Sequence, residues 1–203
     1  MRALLPLIAV AMCTPSHAGD TPEVAAAVAA LEKLGAKVSR HEDTPGKPVR
    51  QVHFPRKGCD ITDDDLKHLA ALPDLEWALI LGQKKVTGEG LKHLTKLSKL
   101  RHIDFSKTPI TSASLAHLSG MKQLIRLGLW DTAIDDEGLA HLRQLNALEH
   151  LFLNGTKVGD KGLEALGPKP RLWDLQYSDN QFSEKGKALM KKLFPPNGVE
   201  LDK

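Results

Sequence analysis

Residues Val86–Pro109 read VTGEGLKHLTKLSKLRHIDFSKTP, and residues Ile134–Lys157 read IDDEGLAHLRQLNALEHLFLNGTK. The two stretches place apolar residues at the same offsets, and three related stretches begin at Ile61, Ile110 and Val158. Each unit is 24 residues long, except for the first, which has 25. The chain therefore repeats one structural unit five times.

Each repeat changes from a helical to a strand-like spacing of apolar residues. Counted from the leading Ile or Val, apolar residues fall at offsets 5, 8, 11, 14, 17 and 19. Offsets 5, 8 and 11 share one helix face, whereas 17 and 19 share one strand face. A period between roughly 20 and 29 residues with an L-x-x-L-x-L core predicts a leucine-rich repeat solenoid. Such an α/β fold carries a parallel sheet on the concave face and helices on the convex face.

Polar residues are expected to satisfy backbone groups within each repeat. The residue after the leading Ile or Val is predicted to cap the helix, as Thr87, Thr111 and Asp135. A second column follows the strand and is predicted to bond the turn backbone; it comprises Thr108, Thr132, Thr156 and Asn180.

Two repeats depart from the pattern. In the first, Lys84 stands in the polar column beside the extra residue, which predicts an irregular turn. In the fifth, Pro168-Lys169-Pro170 replaces the leucine at offset 11, which predicts a shortened helix.

Residues 1–18 have the pattern of a secretory signal peptide. Arg2 precedes the apolar run Ala3–Met12, and Ser16-His17-Ala18 places small residues before a cleavage site. We expect export to the periplasm or beyond the cell after cleavage near Ala18. Ten apolar residues are too few to span a membrane. Lipid anchoring at Cys13 is disfavoured because the preceding residue, Met12, is bulky.

The remaining chain divides into residues 19–60, a capping unit; 61–181, the five repeats; and 182–203, a C-terminal cap. Thr21 and Pro22 predict a helix start, and Gly35 predicts its end. Two strands, Ala36–Asp43 and Val49–Phe54, should form a hairpin that covers the apolar end of the solenoid. In the C-terminal cap we expect a helix through Leu189, Leu193 and Phe194 and a short strand at Val199–Leu201.

Charge and cysteine content exclude some classes of function. The formal charge is +3 without a basic tract, which disfavours nucleic acid as a partner. After cleavage only Cys59 remains, so no intramolecular disulfide can form. We interpret Cys59 as a structural residue in a turn.

Outward strand residues should form three columns across the concave face. The first is Gln51, Ala78, His102, Arg126, His150 and Asp174; the second is His53, Ile80, Asp104, Gly128, Phe152 and Gln176; the third is Pro55, Gly82, Ser106, Trp130, Asn154 and Ser178. Clustered aromatic residues and arginine are typical of binding hot spots. The predicted partner site therefore comprises His102, Asp104, Arg126, Trp130, His150, Phe152 and Asp174. Gly128 beside Trp130 would leave space for an inserted side chain.

Metal binding and catalysis are not expected. Four histidines, at positions 68, 93, 117 and 141, share one repeat offset. Neighbouring helices lie about 8–10 Å apart, too far to share a ~2.1 Å coordination sphere. No phosphate loop, nucleophile elbow or zinc-protease motif is present, and no cofactor is predicted. Hydrolysis by a His102/Asp104 pair is the enzymatic alternative.

The motif G-L-x-H-L…L-x-x-L-x-x-L-x-L…T-x-[IV]-[TD]-D resembles bacterial leucine-rich repeat proteins, especially secreted ones of planctomycete type. It is also similar to repeats of F-box-like eukaryotic adaptors, but no F-box segment is present to support that role. The resemblance covers residues 20–203 and implies a horseshoe that binds other molecules, usually proteins. We therefore expect a non-enzymatic module for a protein or peptide. The main alternative is envelope carbohydrate, stacked on Trp130 and Phe152 and bonded by Asp104, Asn154 and Gln176.

Overall fold

The computed structural model describes residues 19–194. The predicted signal peptide, the Cys13 lipid site and the strand at Val199–Leu201 lie outside the described residues. Within them, no helix is long and apolar enough to cross a membrane.

A single seven-stranded sheet runs the length of the described chain in sequence order. The first two strands pair antiparallel as a hairpin, and every later pair is parallel. The strands are β1 Lys37–Arg40, β2 Val49–His53, β3 Trp77–Leu79, β4 His102–Asp104, β5 Arg126–Gly128, β6 His150–Phe152 and β7 Asp174–Gln176. From β2 onward the strands pair in strict order and one helical segment separates each from the next, which confirms the predicted α/β solenoid.

Helical segments line the opposite side of the repeats. The α-helices are α1 Pro22–Lys33, α2 Asp136–Ala140, α3 Asp160–Leu166 and α4 Glu184–Leu193. The first three repeats carry 3₁₀ segments instead, at Asp64–Ala71, Glu89–Leu94 and Ser112–Leu118. A 3₁₀ turn rises faster per residue than an α-helix, so few residues return the chain to the next strand.

The repeated apolar positions form one continuous core. Residues at offsets 5, 8, 14, 17 and 19 are buried in all five repeats. In the third repeat these are Leu115, Leu118, Leu124, Leu127 and Leu129. Each repeat therefore buries its apolar side chains against its neighbours, as the sequence pattern predicts.

The turn after each strand contains a left-handed residue at offset 21, namely Gly82, Lys107, Asp131, Gly155 and Asp179. The polar column comes next. The Thr132 hydroxyl donates to the Leu129 carbonyl at 2.6 Å, and Thr108 bonds Phe105 in the same way. Asn180 Nδ2 donates to the Thr156 hydroxyl at 2.8 Å. These bonds confirm that the column satisfies polar groups at stacked turns.

The first repeat differs from the prediction in register. Gln83, not Lys84, occupies the polar column; it is buried, and its Nε2 donates to the Pro55 carbonyl at 3.1 Å. The extra residue therefore follows the strand instead of preceding it. Ala78 and Ile80 point into the core at 0% exposure, which corrects their expected place on the concave face.

The outward residues of the first repeat are instead Trp77, Leu79 and Leu81. Trp77 and Leu79 pair in register with His102 and Asp104 on β4. The side chains of Trp77, Leu79 and Leu81 are half-buried. Because strand side chains alternate between faces, a displacement of one residue exchanges the whole set.

The prediction of a shortened helix in the fifth repeat is wrong. With seven residues, α3 is longer than the five-residue α2. The prolines follow the end of α3, because the helical segments of all repeats end before offset 11. Lys169 itself fills the core position that leucine or methionine takes elsewhere, at 0% exposure.

Only some of the predicted helix caps form. The Asp135 carboxylate accepts from the backbone N–H groups of Glu137 and Gly138, as expected. Thr111 precedes its 3₁₀ segment without a side-chain cap bond, and the Thr87 hydroxyl donates to Asp63 of the preceding repeat at 2.7 Å. Expected caps thus become bonds between repeats where the neighbouring repeat offers a carboxylate.

The N-terminal unit begins as predicted. Thr21 caps α1 by accepting from the Val24 N–H, Pro22 is the first helical residue, and Gly35 has a φ of +85° after the helix. The side chain of Arg40 binds the Asp20 carboxylate at 2.9 and 2.7 Å, joining β1 to the start of the described chain.

Candidate binding face

The concave face comprises the side chains of β3–β7 that point away from the helical segments, together with the residue two positions after each of these strands. The sheet register confirms the first two predicted columns from β4 onward. His102, Arg126, His150 and Asp174 pair in one row across the strands. Asp104, Gly128, Phe152 and Gln176 form the next row.

A depression of about 310 Å³ lies at the centre of this face. It is lined by Asp104, Ser106, Arg126, Trp130, Phe152, Asn154 and Gln176. We call it the central depression. Four of the seven predicted site residues meet there, namely Asp104, Arg126, Trp130 and Phe152.

Arg126 covers Phe152. Its guanidinium carbon lies 4.4 Å from the centre of the Phe152 ring, a cation–π arrangement. Phe152 is consequently only 7% exposed, so the expectation of an exposed aromatic platform at this residue is wrong. Among residues 19–194, no carboxylate lies within 4.0 Å of Arg126. The guanidinium is held by stacking and keeps its hydrogen-bond donors for another group.

Trp130 forms the exposed rim of the central depression. Its side chain is 37% exposed, and Lys107 Nζ lies 4.0 Å from its ring centre. Lys107 also pairs with Asp131 at 3.2 Å. Sequence reasoning missed Lys107 because it lies in the turn and not on the strand. Its left-handed φ of +59° directs it toward the neighbouring repeat.

Asp104 occupies the space above Gly128. Its Oδ1 accepts the Ser106 N–H at 2.8 Å. A Cβ added to Gly128 would lie 2.7 Å from the Asp104 carboxyl carbon. The space expected for an inserted ligand side chain therefore holds this carboxylate. Among the described residues, no cationic group lies within 4.0 Å of it.

His102 lies beside the central depression and stacks on Trp77. The two ring centres are 3.5 Å apart, with planes 13° from parallel. Burial, assisted by the nearby charges of Arg126 and His150, lowers the pKa of His102 to about 4. Its Nδ1 is buried without a hydrogen-bond partner. The Asp104 carboxylate bonds Ser106 instead, so the acid–base pair considered for hydrolysis does not form.

A different histidine, His150, pairs with a carboxylate. His150 Nδ1 lies 2.9 Å from Asp174 Oδ2 on the adjacent strand, and Gln176 Nε2 donates to Asp174 Oδ1 at 3.3 Å. Trp173 contacts the His150 ring edge-on at 4.4 Å and is 47% exposed. Trp173 was missed because it precedes β7 and lies outside the three predicted columns. The sequence did offer one signal for Trp173, namely that the chain has three tryptophans and this is one of them.

Other candidate chemistry is sparse. In the part of the chain that the structure describes, no three His, Cys, Asp or Glu side chains are grouped to hold a metal ion. Burial, together with the negative charges of Asp60 and Asp65, raises the pKa of the Cys59 thiol. That shift disfavours the thiolate that nucleophilic chemistry needs.

Known proteins resemble this chain in fold. No protein-family model matches it, and no curated protein does. A solved internalin of Listeria monocytogenes matches 72% of this chain with a TM-score of 0.58 and 22% identity. Internalin C2 of the same organism matches 88% of this chain, and 81% of its own chain, with a TM-score of 0.52 and 17% identity.

The chain spans 40% of the length of the first internalin. At these identities the likeness concerns the backbone alone. Together with the sequential parallel sheet and the buried leucine positions, it establishes the architecture. The protein has the leucine-rich repeat fold.

Proposed function

We propose that this protein is a non-enzymatic binding module that recognises a protein or peptide through its concave face. The observation that carries the proposal is the central depression, where the exposed Trp130 adjoins Arg126, a cation without a carboxylate partner among the described residues. Tryptophan and arginine are the residues most enriched among binding hot spots. His150, Asp174 and His102 flank this centre and extend the contact surface.

The scaffold favours recognition over conformational change. The concave side chains lie on strands whose backbones pair on both sides, except at the sheet edges, or on the turns directly after them. A preformed surface loses little conformational entropy when a partner binds. The resulting affinity depends on how well the partner fits the depression.

We further propose that the protein acts outside the cytoplasm, as an exported leucine-rich repeat protein of bacterial type. The support is the signal-peptide pattern of residues 1–18. In the proposed organisation, residues 19–60 and 182–203 cap a five-repeat unit formed by residues 61–181. The hairpin and α1 at one end, and α4 at the other, support this division.

The test is affinity capture from an envelope extract with the Arg126→Ala/Trp130→Ala double variant. Neither side chain belongs to the buried core, so the free energy of unfolding of the variant should lie within about 1 kcal/mol of the wild-type value. We expect it to lose the partner that the wild type retains. Arg143→Ala/Lys122→Ala, with both substitutions at positions away from the sheet, is the matched control. Retention of the same partner by the Arg126/Trp130 variant would refute the proposed site.

Carbohydrate remains the second candidate, because the two large apolar side chains that are exposed among residues 19–194, Trp130 and Trp173, are both tryptophans on or beside the concave face. Indole rings suit stacking on sugar faces. Retention on an insoluble cell-wall fraction, released by free sugars and lost in Trp173→Ala, would support this candidate against the protein-binding one.

A further inference from the structure

Two opposite charges in the central depression lack partners within the described chain. Arg126 stacks on Phe152, and Asp104 receives one backbone N–H. Neither has an opposite charge within 4.0 Å among residues 19–194. Beside the depression, Lys107 binds Asp131 at 3.2 Å, and Asp174 lies 2.9 Å from the His150 ring. The residues that line the central depression therefore offer one cation and one anion, on neighbouring strands.

An apolar stripe adjoins this pair of charges. The outward residues of the first repeat, Trp77, Leu79 and Leu81, are half-buried on the concave face. Leu79 pairs in register with Asp104 on β4, which pairs in turn with Gly128 on β5. A path across the strands from Leu79 thus meets the carboxylate of Asp104 first and the guanidinium of Arg126 next.

The overall length of this path is close to that of an extended peptide. Neighbouring strands lie about 4.8 Å apart, and two residues along a strand span about 6.7 Å. The Cα atom of Leu79 therefore lies about 5 Å from that of Asp104, which lies about 8 Å from that of Arg126, and the two ends of the path are about 12 Å apart. Alternate residues of an extended chain point to one face and lie about 6.7 Å apart, so three of them span about 13 Å, close to the distance between the ends of the path.

We propose that the ligand is an extended peptide segment carrying an apolar, a basic and an acidic side chain at three alternate positions. This proposal rests on the proposed function and specifies its partner. The apolar side chain packs on Leu79 and Leu81, the basic one binds Asp104, and the acidic one binds Arg126. A ligand with a carboxylate alone would be repelled by the Asp104 carboxylate, and a ligand with an amine alone would be repelled by the Arg126 guanidinium.

The probes are acetylated, amidated peptides that share a Leu-Gly-X-Gly-Z core between glycine–serine flanks. X and Z are Lys and Glu, Lys and Gln, Gln and Glu, or Gln and Gln. Each is titrated into the full-length mature protein at low salt, with tryptophan fluorescence and NMR shifts as readouts. We expect the Lys/Glu peptide to bind at least about tenfold more tightly than the Gln/Gln peptide.

Two isosteric variants assign the charges. Arg126→Gln should lower the affinity for the Lys/Glu peptide about tenfold, to the affinity that the wild type has for the Lys/Gln peptide. Asp104→Asn keeps the Oδ1 acceptor for the Ser106 N–H. It should lower the affinity for the Lys/Glu peptide to the affinity that the wild type has for the Gln/Glu peptide. The controls are Arg143→Gln and Asp43→Asn, at positions outside the concave face, and they should bind as the wild type does.

Equal binding of the four peptides, or binding of none, would overturn the mixed-charge inference. If the Arg126/Trp130 double variant nevertheless loses its captured partner, the proposed function stands with a different ligand class. If that variant keeps its partner, the proposed function fails, and this inference fails with it.

Discussion

Lys169 shows how a single residue departs from the repeat and keeps its place in the core. Its Nζ donates to the carbonyls of Leu166 and Arg143 at 2.8 and 3.0 Å. No carboxylate of the described chain lies within 4.0 Å of this ammonium. Burial, with a smaller effect from the charge of Arg143, lowers the pKa of Lys169 to about 8. Carbonyl groups at the end of α3 and in the segment after α2 thus replace the apolar contacts of leucine.

We expect Lys169→Met to change how stability depends on pH. The ordinary lysine pKa is 10.5, so between pH 8 and 10.5 the unfolded chain binds a proton that the folded chain has released. Stability rises with pH wherever the unfolded state binds more protons. The wild type should therefore gain up to ~3 kcal/mol relative to Lys169→Met across this window. Urea denaturation of both proteins at a series of pH values measures the difference; parallel curves would refute the buried-lysine assignment.

His102 predicts a second pH effect at acidic pH. Its pKa of about 4 lies below the ordinary 6.5, so the neutral ring stacks on Trp77 in the folded state. As pH falls from 6.5 toward 4, the unfolded chain gains a proton first, and the wild type should lose stability. His102→Phe keeps the stack and removes the titration. The unfolding free energies of the two proteins should diverge below pH 6.5, and a constant difference would contradict the assignment.

At the scale of elements, successive helical segments approach closely through pairs of one glycine and one larger residue. The glycine usually belongs to the later repeat, at offset 4, and the second junction reverses the order. The pairs are Asp63/Gly90, Gly88/Ser114, Ser112/Gly138, Asp136/Gly162 and Asp160/Gly186. Asp63 also accepts the N–H groups of Gly88 and Gly90 at 2.9 Å. Each junction between neighbouring helical segments therefore has room for the side chain of the larger residue but not for a second one at the glycine.

Gly90→Ala tests this junction. In an isolated helix the change would stabilise by about 1 kcal/mol, because alanine has less conformational freedom to lose. Here the added Cβ would overlap the Asp63 carbonyl and lie 2.9 Å from a Leu66 methyl group. We expect a net loss of about 1–3 kcal/mol in unfolding free energy, typical of overpacking.

Gly120→Ala is the matched control for Gly90→Ala, because its φ is not positive and the methyl group that alanine adds would meet nothing within 4 Å beyond its chain neighbours. We expect that variant to be neutral or slightly stabilised. Thermal unfolding monitored by circular dichroism compares the two. Equal effects would show that close approach does not constrain Gly90.

At the scale of the whole molecule, the core of the repeats continues into the units at both ends. The buried core extends from Ala27 in α1 to Phe194 after α4. Because each repeat contacts only its neighbours, an end repeat exposes one apolar edge unless a capping unit covers it. At the N-terminal end, α1 and the β1–β2 hairpin cover the first repeat.

We expect deletion of residues 19–58 to destabilise the entire chain. The deletion would expose the edge of β3 and the core side of Ile61 and Leu66, both at 0% exposure in the intact protein. Exposed strand edges with apolar neighbours promote association. Size-exclusion chromatography should show aggregation, or thermal unfolding a strongly lowered melting temperature. A monomeric deletion variant that melts like the wild type would show that the repeats need no cap.

Most of the architecture was predictable from the sequence, because a repeated pattern has only one way to bury all its leucines. The strand columns from His102 to Gln176 followed from alternation alone. The first repeat was misplaced because spacing does not say whether its extra residue precedes or follows the strand. The hydrogen bond from the Gln83 side chain to the Pro55 carbonyl decides that question, and it is a contact between repeats.

The sequence by itself determined the solenoid, the apolar core positions of its five repeats and the central group of candidate binding residues. Only the tertiary structure decided that Arg126 covers Phe152, that Asp104 fills the space above Gly128, and that His150 pairs with Asp174 instead of His102 with Asp104. Periodicity fixes which face a side chain occupies, because it depends on backbone geometry. Which side chains then pair depends on their lengths and on neighbours about 24 residues away, and the repeat does not encode those choices.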